Sequence, residues 1–348
     1  MITFDEIPLD WLEPSILMEI KPNYRNTGVL PYPTKVCIVG QKLASGTLAP
    51  GQVVEIIRPE EAVGYFGLGS IGAEQVAAFR KANKTTPLFV TALADAGGAV
   101  KSTGTLTFAG AMPAQPTVLR FKVAGYSLRI TILPADTVST LATKLVAAIT
   151  AAAGICVTAA AALGVVTVTS RHGGEVGNDI DIRVDTRAST VPDGLTVTVT
   201  PMSGGAGNPV LQTALDTLAN TWFTMVQHPW SDSTNMTAFA EWLRVRYLAT
   251  SKLDAHGFVA KRGTYGQLGT FGALTNSPFI SCMGLKASPT SSWLLSAAVC
   301  GLAAFHLTND PARQLKSLVV PGIDAPEPAD QFTETEQDLL LRTGISTF

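Results

Sequence analysis

The sequence predicts an α/β chain, mixed α+β in detail. A central mixed sheet flanked by helices carries an inserted β-rich domain and follows an extended N-terminal arm. Three observations predict this. Short apolar runs alternate with helical periodicity over residues 31–96 and again over 205–348. Between them, residues 97–204 change to two-residue alternation rich in Thr, Val and Ala. Prolines crowd the first thirty or so residues. The 348 residues suffice for a large core and for two or three domains of about 150 residues each.

In residues 1–30, Pro8, Pro14 and Pro22, with Pro31 and Pro33 just beyond, forbid a long helix. Residues 15–20 read as one extended strand. Trp11, Ile16, Leu17, Met18 and Ile20 make this arm too apolar to lie in water, so it is expected to dock on its own core or on a neighbour. Strands follow at 36–39 and 53–57. A short helix opens at Pro59 with Glu60 and Glu61 at its positive end, then come a helix over 73–82 and a strand over 88–93.

In the middle block, Leu106 and Phe108, then Leu128, Ile130 and Ile132, then Ile180, Ile182 and Val184, then Leu195, Val197 and Val199 each put apolar groups on one face. One helix interrupts, capped near Asp136, with Val138, Leu141, Leu145 and Ile149 on one side. Gly97-Gly98 and Gly204-Gly205 bound the block as candidate hinges, which divides the chain into arm (1–30), core (31–96 with 205–348) and insert (97–204).

The α/β rhythm then returns. Asn208-Pro209 is expected to start a helix, and strands are expected at 223–226, 257–260 and 279–283. A helix with Met236, Phe239, Leu243 and Tyr247 on one face lies between the first two strands. Ser288-Pro289 is expected to cap a helix carrying Trp293, Leu295, Val299, Leu302 and Phe305, apolar nearly all round and therefore central. After a helix over 333–341 the chain ends as an apolar strand begins, which reads as a shortened chain.

Charged residues are 15%, apolar residues 46%, and mean hydropathy is +0.26. Solitary soluble domains carry about 25% charged residues, so partners are expected to cover much of this surface. A net charge of -2 argues against a nucleic-acid partner, which needs a basic face to displace counterions. The most apolar segment, 293–307, is about 15 residues, short of the roughly 20 that a bilayer needs, so no membrane span is expected. No signal peptide opens the chain, and synthesis is expected in the cytosol. Cys37, Cys156, Cys282 and Cys300 are scattered through apolar segments and read as buried free thiols.

The search for chemistry returns no catalytic residue, cofactor or metal. Residues 67–72 fit G-x-G-x-x-G but follow a helix instead of a strand, and so read as a helix–helix turn. His172, Glu175 and Asp179 could in principle hold a cation, yet their spacing matches neither an EF-hand nor a zinc motif, and the glycines around them favour a structural loop. Residues 204–209 precede an expected helix but lack the Lys of a phosphate loop. His228, His256 and His306 read as satisfied interior or boundary histidines. Neither a G-x-S-x-G elbow nor a nucleophile–base pair supports a hydrolase. The chain is therefore expected not to be an enzyme.

Several stretches together resemble the contractile tail sheath proteins of Mu-like myophages. They are Phe4-Asp5-Glu6-Ile7-Pro8, residues 36–47 from Val36-Cys37-Ile38-Val39-Gly40, and Tyr65-Phe66-Gly67-Leu68-Gly69-Ser70. Further on come residues 174–183 from Gly174-Glu175-Val176-Gly177-Asn178-Asp179, then Met202-Ser203-Gly204-Gly205-Ala206-Gly207-Asn208-Pro209, Asp310-Pro311-Ala312-Arg313 and residues 339–347. Their order and spacing cover nearly the whole chain. The resemblance implies a virion tail subunit, assembled in the host bacterial cytoplasm, that stacks in rings or helical strands around a tail tube and contracts to drive the tube through the host envelope. It implies homo-oligomers joined by strand exchange of N- and C-terminal arms, with the tail tube protein, baseplate and tail terminator as partners. Interface candidates are then Trp11, Ile16, Leu17, Met18, Ile20, Ile345 and Phe348. In the family the C-terminal part continues beyond the position of Phe348 and supplies the second arm. The alternative from another class is a carbohydrate- or cell-binding module built on the Thr-rich block.

Overall fold

The computed structural model describes residues 34–347, so the expectations for residues 1–33 and Phe348 lie outside the described residues. Strand β1 (Val36–Lys42) is buried along almost its whole length, as a strand with parallel neighbours on both sides must be. Strand β2 (Val54–Ile56), helix α1 (Pro59–Phe66), helix α2 (Ile71–Ala82) and strand β3 (Leu88–Ala94) follow. The G-x-G-x-x-G stretch is the turn between α1 and α2. Gly67 and Gly69 take positive φ, and the Ser70 hydroxyl caps α2 by accepting from the Ala73 N–H. The third glycine has a packing role. A Cβ on Gly72 would sit 2.3 Å from the Phe66 ring, and one on Gly40 would sit 2.7 Å from the Gly72 Cα, so α2 lies on β1 at glycine distance.

The strand-rich segment comprises β4 (Lys101–Gly110), β5 (Thr117–Val123), β6 (Tyr126–Ile132), α3 (Val138–Ala151), β7 (Val157–Ala162), β8 (Val165–Gly173), β9 (Ile182–Val184) and β10 (Leu195–Ser203). It forms two antiparallel sheets, ordered β10-β4-β8-β7 and β6-β5-β9. Their inner faces bury Leu106, Phe108, Leu119, Phe121, Ile130 and Val166, and α3 adds Leu141, Leu145 and Ile149. Thr137, one residue after the expected cap, closes a capping box with Thr140. Asp136 binds the Leu133 N–H and Lys144 instead.

The chain then completes the first sheet with α4 (Gln212–Thr217), β11 (Met225–Gln227), α5 (Ser233–Tyr247), β12 (His256–Arg262), α6 (Tyr265–Gly272), β13 (Ile280–Leu285), α7 (Ser292–Asn309), α8 (Glu334–Arg342) and β14 (Ile345–Thr347). The seven strands run β14-β13-β12-β11-β1-β3-β2, all parallel except β2, the antiparallel edge. Alternate residues of β1 feed opposite faces. Val36 and Ile38 join Phe66, Phe79 and Cys300 under α1, α2 and α7, while Cys37 and Val39 join Phe239, Leu243, Phe271 and Leu340 under α5, α6 and α8. The second of these cores runs on into the strand-rich segment without a break.

Two expected helix starts are wrong. Helix α4 begins at Gln212, not at Asn208-Pro209, because the Asn208 side chain is engaged elsewhere, donating to Asp232 and accepting from the Val176 N–H. Helix α7 starts after Ser291, whose side chain makes no capping hydrogen bond, while the Ser288 hydroxyl donates to the Asp324 carbonyl 2.6 Å away. At 18 residues α7 is longer than its most apolar stretch, and by length and composition alone it could cross a membrane. Its apolarity has a core explanation, since Trp293, Leu295, Ala297, Ala298, Cys300, Ala303 and Ala304 are all buried. Phe305, expected on its buried face, is 40% exposed.

The glycine contacts make a paired test. Gly72→Ala should cost about 1–3 kcal/mol through overpacking against Phe66. Gly64→Ala, in helix α1 with nothing within 4 Å of its added methyl, should stabilise by about 0.5–1 kcal/mol. Urea unfolding of both variants measures the difference.

Candidate functional site

In an open parallel sheet, ligands bind outside the carboxyl ends of the strands, where connections depart in opposite directions. Here that point lies between β1 and β11. It is filled by the protein itself. Gln41, near the end of β1 and fully buried, donates to Asp95 Oδ1 and to the Gly173 carbonyl, both at 2.8 Å, and accepts from Trp230 Nε1 at 3.3 Å. Asp95, just past β3, also accepts from His172 Nδ1 (2.9 Å) and from the Gly173 N–H (2.8 Å). His172 Nε2 accepts from the Ile71 N–H at 3.2 Å, so the network assigns the ring proton to Nδ1. Burial pushes the Asp95 carboxyl up, but the hydrogen bonds from His172 and Gly173 outweigh it and hold the group below the usual range.

The same edge is bound further along. The Asp179 carboxylate accepts from the Ser292 hydroxyl at 2.6 Å, and burial pushes its pKa up. Asp181, buried, accepts from Arg183 and from Arg262 on β12, while Arg183 also donates to the Ala287 carbonyl at 2.6 Å. Where the chain crosses into and out of the strand-rich segment, Val100 and Ala206 exchange backbone hydrogen bonds of 2.8 and 3.2 Å. The strand-rich segment thus lies across the carboxyl ends of β1, β3 and β12, and reaches the residues that follow β13.

Of the hinge candidates, Gly97, Gly98 and Gly204 have open space where a Cβ would stand, and Gly98 and Gly204 take positive φ. Gly205 is clamped: it exchanges hydrogen bonds of 2.8 and 3.0 Å with the Asn178 side chain. Ile345 is fully buried on β14, opposite Cys282 and against Gly272 and Gly284. Trp11, Ile16, Leu17, Met18, Ile20 and Phe348 lie outside the described residues.

His172, Glu175 and Asp179 do not converge. The first and last serve the contacts above, Glu175 is exposed, and no group of three or more His, Cys, Asp or Glu among the described residues is placed to hold a metal. The four cysteines are buried and free, with burial pushing their thiols up, Cys282 to about 11. His228 departs from expectation. It is fully buried beside Trp230 and Phe239, yet neither ring nitrogen has a hydrogen-bond partner. Burial drives its pKa down to about 3, so the ring is neutral.

The sequence reading also missed a serine–histidine pair. His256 Nε2 and Ser281 Oγ lie 2.8 Å apart at the opposite edge of the sheet, on neighbouring strands too far apart in sequence to signal each other. No hydrogen bond among the described residues orients the other ring nitrogen, so the pair lacks the third member of a triad. Phe108 and Phe121 of the strand-rich segment offer no sugar platform, because they pack edge to face in the core with ring centres 6.0 Å apart.

Comparison with known proteins gives this arrangement its context. The chain is 30% identical to the Mu-like prophage FluMu tail sheath protein of Haemophilus influenzae, over all 348 residues here and 71% of that protein. A family model described as the phage tail sheath protein central domain matches residues 204–348. Among solved structures, a sheath tail protein of Desulfitobacterium hafniense aligns over 95% of this chain and 71% of its own, with 13% identity and a TM-score of 0.45. One from Listeria innocua aligns over 90% and 64%, with 15% identity and a TM-score of 0.42. Both structural likenesses are too loose to carry an argument. The sequence relationship suffices, and the chain belongs to the phage tail sheath family. Its role is structural, as a component of the virion tail, and membership implies oligomeric assembly around a tube. The carbohydrate-binding alternative finds no support in these relatives.

Two tests follow from the geometry. Asp181→Ala leaves Arg183 and Arg262 without their shared carboxylate and should cost about 3–5 kcal/mol in urea unfolding, whereas a surface change such as Glu241→Ala should be near neutral. The second concerns pH. The folded chain refuses a proton at His228 until about pH 3, while the unfolded chain accepts one near 6.5. Unfolding therefore takes up a proton across that window, and stability falls as pH drops through it, by about 5 kcal/mol in all. Glu74 acts with the opposite sign. Burial raises its pKa from 4.5 to about 7 despite the hydrogen bond from Trp293 Nε1, so stability falls as pH rises through that range, by about 3 kcal/mol. Melting curves from pH 4 to pH 9 should show His228→Leu removing part of the acid loss and Glu74→Gln part of the loss near neutrality.

Proposed function

We propose that this chain is a non-enzymatic sheath subunit. It packs as rings or helical strands around the tail tube, is assembled in the host cytoplasm, and contracts to drive the tube through the host envelope. The observation that carries this reading is the filled carboxyl edge. Where an α/β enzyme leaves a crevice for substrate, this chain seats its own His172–Gly173 corner on Asp95 and Gln41. Residues 97–204 then act as an inserted outer domain on the core of 31–96 and 205–348, behind an arm of residues 1–30, with Gly97, Gly98, Gly204 and Gly205 at the crossings.

The lateral edge of the sheet supports assembly by strand exchange. Among the described residues no strand pairs with the outer side of β14, and an open edge accepts a strand of a neighbour with little demand on its side chains. An N-terminal arm bearing Trp11, Ile16, Leu17, Met18 and Ile20 supplies one exchanged segment in this reading, with Ile345 and Phe348 as further interface candidates. The tail tube protein, baseplate and tail terminator are the remaining partners. Contraction needs no nucleotide if the contracted lattice buries more surface. An additional 1,000 Å² or so per subunit would contribute roughly 25 kcal/mol before entropic costs.

The test is to mix the 348-residue chain with purified tail tubes and image them by negative stain, with light-scattering mass of the free chain alongside. Coated, cross-striated tubes are expected. Bare tubes beside monomeric protein would overturn the proposal. Ser346→Lys, a charge placed on the exposed edge of β14, should reduce coating at least about tenfold while leaving the melting curve intact.

A further inference from the structure

We propose that the contact between the strand-rich segment and helix α2 is operated by pH, closed while Glu74 is protonated and opening locally when Glu74 ionises. The inference goes beyond the sheath reading and does not rest on it.

Glu74 stands where α2, α7 and the strand-rich segment meet. Its Oε2 accepts from Trp293 Nε1 of α7 at 2.9 Å. From the strand-rich segment, the Cys156 thiol and the Tyr126 phenol face the same carboxyl. Its Oε1 is shielded from solvent and, beside that weak sulfur group, has no hydrogen-bond partner. A neutral acid tolerates such a place. A carboxylate there would leave a full charge with one strong donor.

The neighbouring charges do not compensate it. Lys81 on α2 and Lys122 on β5 line a cavity beside Glu74, where Lys122 is held by Asp324, and neither cation pairs with Glu74. Arg171 on β8 is turned to the Ile155 carbonyl at 2.9 Å. The first turn of α2 favours a negative charge, but burial outweighs it and pushes the carboxyl up to about 7.

The two sides of this contact differ in firmness. Helices α2 and α7 are locked together, since a Cβ on Gly301 would lie 3.0 Å from the carbonyl oxygen of fully buried Phe79. The opposing side is made of turns. Gly154 takes positive φ just before Cys156, and so do both Ala124 and Gly125 between β5 and β6. A cavity of about 480 Å³, lined by Glu74 and Ala78 on one side and by Gly125 and Tyr126 on the other, gives water a route in. The turns are therefore the side that yields. Once opened, Glu74 regains its ordinary pKa of 4.5, so opening releases a proton and is favoured as pH rises. Between about pH 6 and pH 8.5 these two values raise the open fraction about tenfold.

Cys156 reports the opening, because its buried thiol lies in the contact. Iodoacetamide labelling of the full 348-residue chain, read by peptide mass spectrometry at about pH 6 and pH 8.5, tests this. Dividing each rate by that of the same thiol in the urea-unfolded chain removes the reactivity of the thiolate itself. For the wild type the Cys156 ratio should rise about tenfold with pH, and it should exceed the ratios of the core thiols Cys37 and Cys300 at least about tenfold. Glu74→Gln keeps the shape and cannot ionise, so its Cys156 ratio should stay constant within about twofold. The proposal is overturned if the wild-type ratio is flat, if Glu74→Gln rises equally, or if Cys156, Cys37 and Cys300 label in step, which marks global unfolding. Should Glu74→Gln fail to fold, the wild-type ratios decide by themselves.

Discussion

The strand-rich segment is held on the parallel sheet by the way Asp95 is satisfied. The carboxylate stands at the end of β3, where a parallel sheet opens toward solvent, and it accepts hydrogen bonds from His172, the Gly173 N–H and Gln41. These donors come from two separate strands, β8 and β1, so one side chain ties the strand-rich segment to the middle of the sheet. Remove that closure and the edge becomes a polar crevice beside buried Trp230. With it, the edge is a joint. The fold is one that elsewhere serves catalysis, and the same topological position here is filled by the chain's own side chains.

The joint is reinforced by charge instead of by apolar area alone. Asp181, just before β9, receives two arginines, one from β9 and one from β12, and Asp179 anchors the start of α7. Buried ion pairs of this kind contribute little net stability, but their geometry is specific and their loss is costly. They tie the strand-rich segment to β12 and to the start of α7. On the other face of the sheet pack α2, which approaches β1 at glycine distance, and the largely buried α7.

Much of this was legible in the chain. Alternating strand and helix periodicities located β1, β3, α5, β12 and β13 within a residue or a few, and the G-x-G-x-x-G stretch was recognisable as a turn because no strand preceded it. Strands β5, β7 and β8 were not named; Ala-rich β7 carries little alternation of its own, but β5, where Leu119, Phe121 and Val123 alternate with Arg120 and Lys122, carried the signal and was missed. Asn208 and Ser288 were misread as caps for a common reason. A cap is inferred from local spacing, and both side chains had distant partners, Asp232 and Asp324, that no local rule contains. Likewise His228 carries no mark in the sequence of the two nitrogens it leaves unpartnered.

The sequence by itself determined the class of fold, the absence of any recognisable catalytic motif, the burial of the four thiols and, through dispersed matching stretches, the family. These follow from periodicity, composition and residue order, which are properties of short windows or of the chain read end to end. Only the tertiary structure decided that the carboxyl edge is closed, that His172 serves Asp95 and not a metal, that His256 meets Ser281, and that Glu74 faces Cys156. Each of those is a meeting of side chains set by strand register and by packing across the sheet. Such meetings depend on which strands become neighbours, and that is settled by the whole core at once.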